Sequence, residues 1–244
     1  MEQWSTTLDT RTAAAFGTLG MPVRVKNTLD EKSGKEVVRF QIGLMNMEGT
    51  MRTNRLRACL KNGSLEAAQP SHPLLTIHRA YRNRELLLAF QKTGQKIELV
   101  PVRGAPGIFE YVVGDRGLPG VERGQAYLKT GDLKMVSALG IMGCRLLAME
   151  GSGNNHLYKV AAINDAGVSG VQLMMDWRAS MESIPWEQPF AQAARGLYNR
   201  ERLLDAVRDC QRMILLRHGK GIRSALIDEQ ASDKAWDQVS AFFG

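Results

Sequence analysis

Residues 21–27 (MPVRVKN) and 36–44 (EVVRFQIGL) alternate apolar residues with basic or polar ones. A period of two is the signature of half-buried β-strands. The six residues between them, 30–35 (DEKSGK), are polar and include a glycine, so the two stretches predict a β-hairpin. Alternation also fixes the sides. If Val23 and Val25 share a core with Val38, Phe40 and Ile42, then Arg24, Lys26 and Arg39 are driven together onto the opposite face, with Gln41 beside them.

The charge distribution carries the same message. The chain has a net charge of +7 and a pI near 9.5. Residues 1–84 hold 13 Lys and Arg against 7 Asp and Glu, residues 85–176 hold 9 of each, and residues 177–244 hold 10 against 9. Nearly all of the surplus lies in the first third. A localised excess points to a polyanion-binding face more strongly than an even one, which serves mainly solubility.

Two further basic groups follow the hairpin. Residues 52–61 (RTNRLRACLK) fit a short helix or turn with Leu56, Cys59 and Leu60 inward, which turns Arg52, Arg55 and Lys61 outward, with Arg57 in the same segment. Residues 74–90 carry Arg79, Tyr81, Arg82 and Arg84 close together, and their pattern fits helix and strand alike. Residues 97–102 and 108–113 read as strands joined by a turn at 103–107. The glycine-rich segment 114–124 (GDRGLPGVERG) reads as a surface loop carrying Arg116 and Arg123. A short helix over 130–139 and strands over 144–149 and 157–163, with a turn at 151–155, complete this part.

From about residue 176 the pattern becomes helical. Residues 199–217 place Leu203, Leu204, Val207, Cys210, Ile214 and Leu215 at helical spacing, with Asn199 as the expected N-cap. Arg217 and His218 suit the negative end of that helix and Gly219 its close. Shorter helices are expected over 187–196 and 221–229, and a last one from Ser232 with Trp236, Val239, Phe242 and Phe243 on its apolar face. The expected fold is α+β: a hairpin-built, mostly antiparallel β-rich body over 1–175 and a helical bundle over 176–244 packed on it.

Several chemistries lack their signatures. Cys59, Cys144 and Cys210 are far apart with no C-x-x-C, so neither a zinc site nor a disulfide framework is indicated, and three free thiols in a reducing compartment are expected. Gly219-Lys220-Gly221 and Gly151-Ser152-Gly153 lack the spacing of a nucleotide-binding loop. His72, His78, His156 and His218 show no metal-ligand spacing, and the carboxylates carry no paired motif. No cofactor or metal is therefore expected. The N-terminal residues lack the pattern of a signal peptide, and no run reaches the ~20 apolar residues of a membrane span. The expectation is a cytoplasmic protein without a membrane partner.

These features favour a protein that grips an RNA or single-stranded DNA backbone. The contact set is Arg24, Lys26, Arg39, Arg52, Arg55, Arg57, Lys61, Arg79, Arg82, Arg84, Arg116 and Arg123, with Tyr81 as a ring on which an unpaired base stacks. A basic β-rich body followed by a helical tail is similar, at the level of organisation, to some subunits of CRISPR-type RNA-guided effector complexes. That resemblance implies other protein subunits in a larger ribonucleoprotein or DNA-targeting complex. A second reading is a metal-independent endoribonuclease, with His78 and Tyr81 as candidate acid–base groups beside Arg79 or Arg82. A third is an interaction protein without nucleic acid, in which Trp177, Trp186 and Trp236 serve subunit contacts. The balance leans away from an enzyme.

Overall fold

The structure is a computed structural model and describes residues 4–43, 53–152, 155–164 and 166–218. The fold is α+β, with antiparallel sheets over residues 4–161 and helices in the C-terminal part. The chain divides into two compact units, residues 1–62 with 199–244, and residues 63–198. The boundary expected at 175/176 falls inside a helix of the second unit.

In the first unit, strands β1 (Trp4–Thr7), β2 (Val23–Leu29) and β3 (Glu36–Gly43) form one antiparallel sheet in the order β1-β3-β2. The β2–β3 hairpin forms as its alternation predicts. Its tip is closed by Asp30, whose carboxylate accepts from the Ser33 backbone N–H and hydroxyl, and by Gly34 at φ +63°. Helix α1 (Thr10–Thr18) packs on β2 and β3. Asp9 caps it by accepting from the Arg11 N–H at 3.0 Å and the Thr12 hydroxyl at 2.6 Å. Ala13, Ala14, Ala15 and Phe16 are fully buried, as are Val23, Val25, Phe40 and Ile42 on the sheet's inner face. Sequence patterning did not reveal β1 and α1. A four-residue strand is too short to show a period, and a run of small residues buried on adjoining faces leaves no polar stripe. Helix α2 (Thr53–Lys61) buries Leu56, as expected.

The second unit opens with α3 (Ser64–Ala68) and α4 (Pro73–Thr93). The segment whose period fitted helix and strand alike is thus helical. His72 caps α4 by accepting at Nδ1 from the Leu74 N–H at 3.1 Å, Pro73 occupies the first turn, and Gly94 ends the helix at φ +66°. The ambiguity has a physical cause. Leu74, Leu75, Thr76, Ile77, Arg79, Ala80, Tyr81 and Asn83 are all buried, so the helix is covered on most sides and shows no clean apolar stripe.

Strands β4 (Ile97–Pro101) and β5 (Phe109–Val113) pair as a hairpin. Strands β6 (Tyr127–Thr130), β7 (Leu146–Ser152) and β8 (Asn155–Ala161) form an antiparallel sheet in the order β6-β8-β7. Helix α5 (Leu133–Ile141) is capped by Asp132 and packs on α4. Asn83 ties three elements together: its amide donates to the Ser137 carbonyl at 3.3 Å, and its oxygen accepts from the Tyr111 N–H at 2.7 Å. Helix α6 (Gly170–Ala179) and a single 3-10 turn (Met181–Ser183) precede α7. The half-buried Trp177 meets Phe190 edge to face, and the half-buried Trp186 lies under the Arg195 guanidinium, so neither ring is bare.

Two helices expected over 187–196 and 199–217 are one. Helix α7 runs unbroken over Pro189–His218. Gly196 does not break it, because its missing side chain is what lets α4 approach: a Cβ there would lie 2.5 Å from Ile77 Cγ2. The Gly196 carbonyl also accepts from the Tyr81 hydroxyl at 3.0 Å. Asn199 does not cap a helix start; its amide donates to the Thr18 hydroxyl at 3.0 Å, inside the first unit. Gly219, the helices expected over 221–229 and from Ser232, Trp236 and residues 153–154 of the 151–155 turn lie outside the described residues.

Gly196→Ala should therefore destabilise the protein. An exposed Gly→Ala in a helix gains ~1 kcal/mol, but overpacking here should cost about 1–3 kcal/mol. A lower urea midpoint for G196A, together with a G196A/I77A double variant that loses less than the sum of the two single changes, would bear this out.

Candidate nucleic-acid interface

The outer face of the first unit's sheet follows from its register. Lys26 pairs with Arg39, Arg24 with Gln41, and Thr28 with Val37 across β2 and β3; Trp4 pairs with Gly43 and Thr6 with Gln41 across β1 and β3. Arg24, Lys26 and Thr6 are exposed, while Trp4, Arg39 and Gln41 are half-buried. No acidic residue falls on any of these register positions. The three cations placed together by alternation alone are thus together in the fold.

Lys26 and Arg39 stand directly opposite each other, an arrangement of like charges that weakens a sheet. Arg39 relieves part of this by reaching Asp30 at the hairpin tip, 3.4 Å away. The Asp30 carboxyl lies below its usual range, chiefly because the Ser33 hydroxyl donates to it, with Arg39 adding to the effect. The Arg24 guanidinium sits over the Trp4 indole, 4.2 Å from the ring centroid. The indole offers the negative face of its π-system to the cation.

The second basic group is only partly surface. Arg55 and Lys61 are exposed on α2. Arg57 is turned to structure: its guanidinium donates to the Ser5 hydroxyl and to the Thr6 carbonyl at 3.3 Å, tethering α2 to β1. Arg52 lies outside the described residues.

In the third group, Arg79 and Tyr81 are turned into the interior. Arg79 is 1% exposed and donates to the Pro70 carbonyl and to Glu66 at 2.9 Å, with Glu110 at 3.8 Å. Tyr81 is also 1% exposed, its ring edge-on to His78 and its hydroxyl held by Gly196, so no base can stack on it. Arg82 is exposed but paired with Glu110, and Arg84 is half-buried near Tyr158. The ring expected to stack on a base is thus a core side chain. On the helix, Arg79 lies one turn from Arg82 and both reach Glu110, while Tyr81 points to another side that is buried as well. His78 and Tyr81 do meet, at 5.7 Å between ring centroids, but the Tyr81 hydroxyl is committed to a carbonyl in the interior. Arg116 and Arg123 are exposed in the 114–124 segment, where the Arg116 N–H donates to Glu98 at 3.2 Å.

The second unit has its own cationic pair, and it makes an instructive contrast. Lys129 and Lys159 are direct partners across β6 and β8. Glu150 binds both, Lys129 at 2.8 Å, and Lys159 also lies over the Tyr127 ring, 5.2 Å from its centroid. Hydrogen bonds from the two lysines hold the Glu150 carboxyl down at about 2. That face supplies its own anion, whereas the outer face of β1-β3-β2 carries none on its strands.

None of the three cysteines is in a disulfide: Cys144 is buried, which pushes its thiol up to about 11, and Cys59 and Cys210 are half-buried. Among the described residues, no group of three His, Cys, Asp or Glu is placed to hold a metal ion, and no helix is long and apolar enough to cross a membrane.

Two outcomes separate structural from interfacial charge. Arg79→Ala should cost roughly 1–3 kcal/mol of stability, because the Pro70 carbonyl loses the buried donor that satisfies it. Arg82→Ala should cost under ~1 kcal/mol. Chemical denaturation of the two variants reads both. The Glu150 bridge should hold from neutral pH down through the ordinary carboxylate range, since its carboxyl is depressed, and open only as the pH falls through about 2. A carboxyl titration followed by NMR that found Glu150 titrating near 4.5, its ordinary value, would contradict the bridge.

Compared with known protein families, with curated proteins and with solved structures, the chain matches none.

Proposed function

We propose that this chain binds a nucleic-acid backbone, RNA or single-stranded DNA, through the outer face of β1-β3-β2, as one subunit of a larger ribonucleoprotein or DNA-targeting assembly. The observation that carries the reading is the triad Arg24, Lys26 and Arg39 on strand positions that hold no acid. Residues two apart on a strand are about 6.8 Å apart, and neighbouring strands about 4.8 Å apart, so the three cations form a compact cluster. A polyanion answers the repulsion between Lys26 and Arg39, and phosphates neutralised by lysine and arginine release condensed counterions. The Arg39–Asp30 pair is partly exposed and screened by solvent, so a phosphate displaces it at little cost. Arg55 and Lys61 are exposed and add to the basic surface of the first unit; Arg116 and Arg123 are exposed in the second unit, next to the exposed Asp115 and Glu122.

Apolar surface on the second unit supports the subunit role. Val171 and Met175 stand one turn apart on α6, and Met175 is 57% exposed, as is Ile163 at 61%. Exposed apolar groups of this kind serve protein contacts when they are contiguous.

Binding to a labelled single-stranded oligonucleotide, followed between ~50 and ~200 mM salt, tests the reading. Affinity should fall with salt. Arg24→Ala and Lys26→Ala should each lower the log–log salt slope by about 1 without sequence preference. Binding that is absent at the low-salt end, or indifferent to salt, would falsify it.

A further inference from the structure

Resting on the backbone-binding reading, we infer that the Trp4–Arg24 pair is a stacking site for an unpaired base, so that the face selects single strands over duplex. Strands β1 and β2 flank β3 and are therefore about 9.6 Å apart. Yet the Arg24 guanidinium lies 4.2 Å from the Trp4 ring centroid, so the two side chains meet above the central strand. Gly43, the direct partner of Trp4, permits this because it places no side chain between them. A Cβ at residue 43 would also lie 3.2 Å from the Pro22 ring, closer than an ordinary contact.

The result is an aromatic ring beside a cation cluster on a sheet surface. In a duplex the faces of the bases are covered by their neighbours, and only phosphates and groove edges are presented to a sheet. An unpaired base has a bare π-face, and stacking on an aromatic side chain tolerates any base. In the bound state the base takes the place of the guanidinium over the indole. Arg24 then turns to the adjoining phosphate, beside Lys26 on the same strand face. The cation–π contact keeps the indole ordered and upright until that exchange, which limits the ordering that binding must supply. Tyr81 was the ring expected to do this from sequence; Trp4 is the ring that the fold puts on the basic face.

The test is competition on the full chain at low salt, with a labelled single-stranded oligonucleotide displaced by the same unlabelled strand or by its duplex. The duplex should compete at least about tenfold less well, and Trp4→Leu should weaken single-strand binding about tenfold at unchanged salt slope. Trp4→Phe, which keeps a ring in comparable apolar bulk, should retain most of the affinity, and the Leu–Phe comparison remains readable if Trp4→Ala does not fold. Equal competition by the duplex, or equal affinity of the Leu and Phe variants, overturns the stacking site and leaves backbone binding standing. Loss of all binding by the wild-type chain at low salt overturns both.

Discussion

Burial of Val23, Val25, Phe40 and Ile42 beneath α1 is the constraint from which the basic face follows. A strand cannot turn two consecutive side chains the same way. Once the aliphatic set is inside, Arg24, Lys26 and Arg39 have only the outer face left. The like-charged pair across β2 and β3 is therefore forced by the core, and Asp30 at the hairpin tip moderates one of its members without cancelling the face. The Glu150 bridge in the second unit illustrates the other solution, in which an acid on a neighbouring strand binds both lysines.

The parts of the fold that the sequence made legible are those with a single buried side. The 21–44 hairpin, the 97–113 hairpin and the inward Leu56 of α2 are of this kind, and a period of two or 3.6 survives in their composition. Elements covered on most sides lose that period. Helix α4 buries an arginine, a tyrosine and an asparagine among its aliphatics, so its polar residues mark interior bonds and not a wet face. Helix α1 hides a run of alanines. Helix α7 carries a glycine and an asparagine that mimic a helix boundary, and each has a different physical purpose: close approach to Ile77 for Gly196, a bond to Thr18 for Asn199.

The same logic sorts the candidate site. The cluster around residue 39 was legible because strand geometry alone groups it. The cluster around residue 81 was not, because the burial of Arg79 depends on Pro70, Glu66 and Glu110, which no local spacing reveals. Trp4 was passed over for the opposite reason. Nothing in its own short strand marks it, and only the pairing of β1 with β3 brings it beside Arg24.

The alternation on β2 and β3 also acts during folding. If the hairpin closed one residue out of step, Arg24 and Lys26 would be carried toward α1, and Val23 and Val25 would be left in water. A misaligned pairing of this sheet would thus place the cations against an apolar interior, where burying a charge is costly. The charges proposed to hold a polyanion in the finished protein therefore serve an earlier purpose as well: they proofread the alignment of the strands that display them.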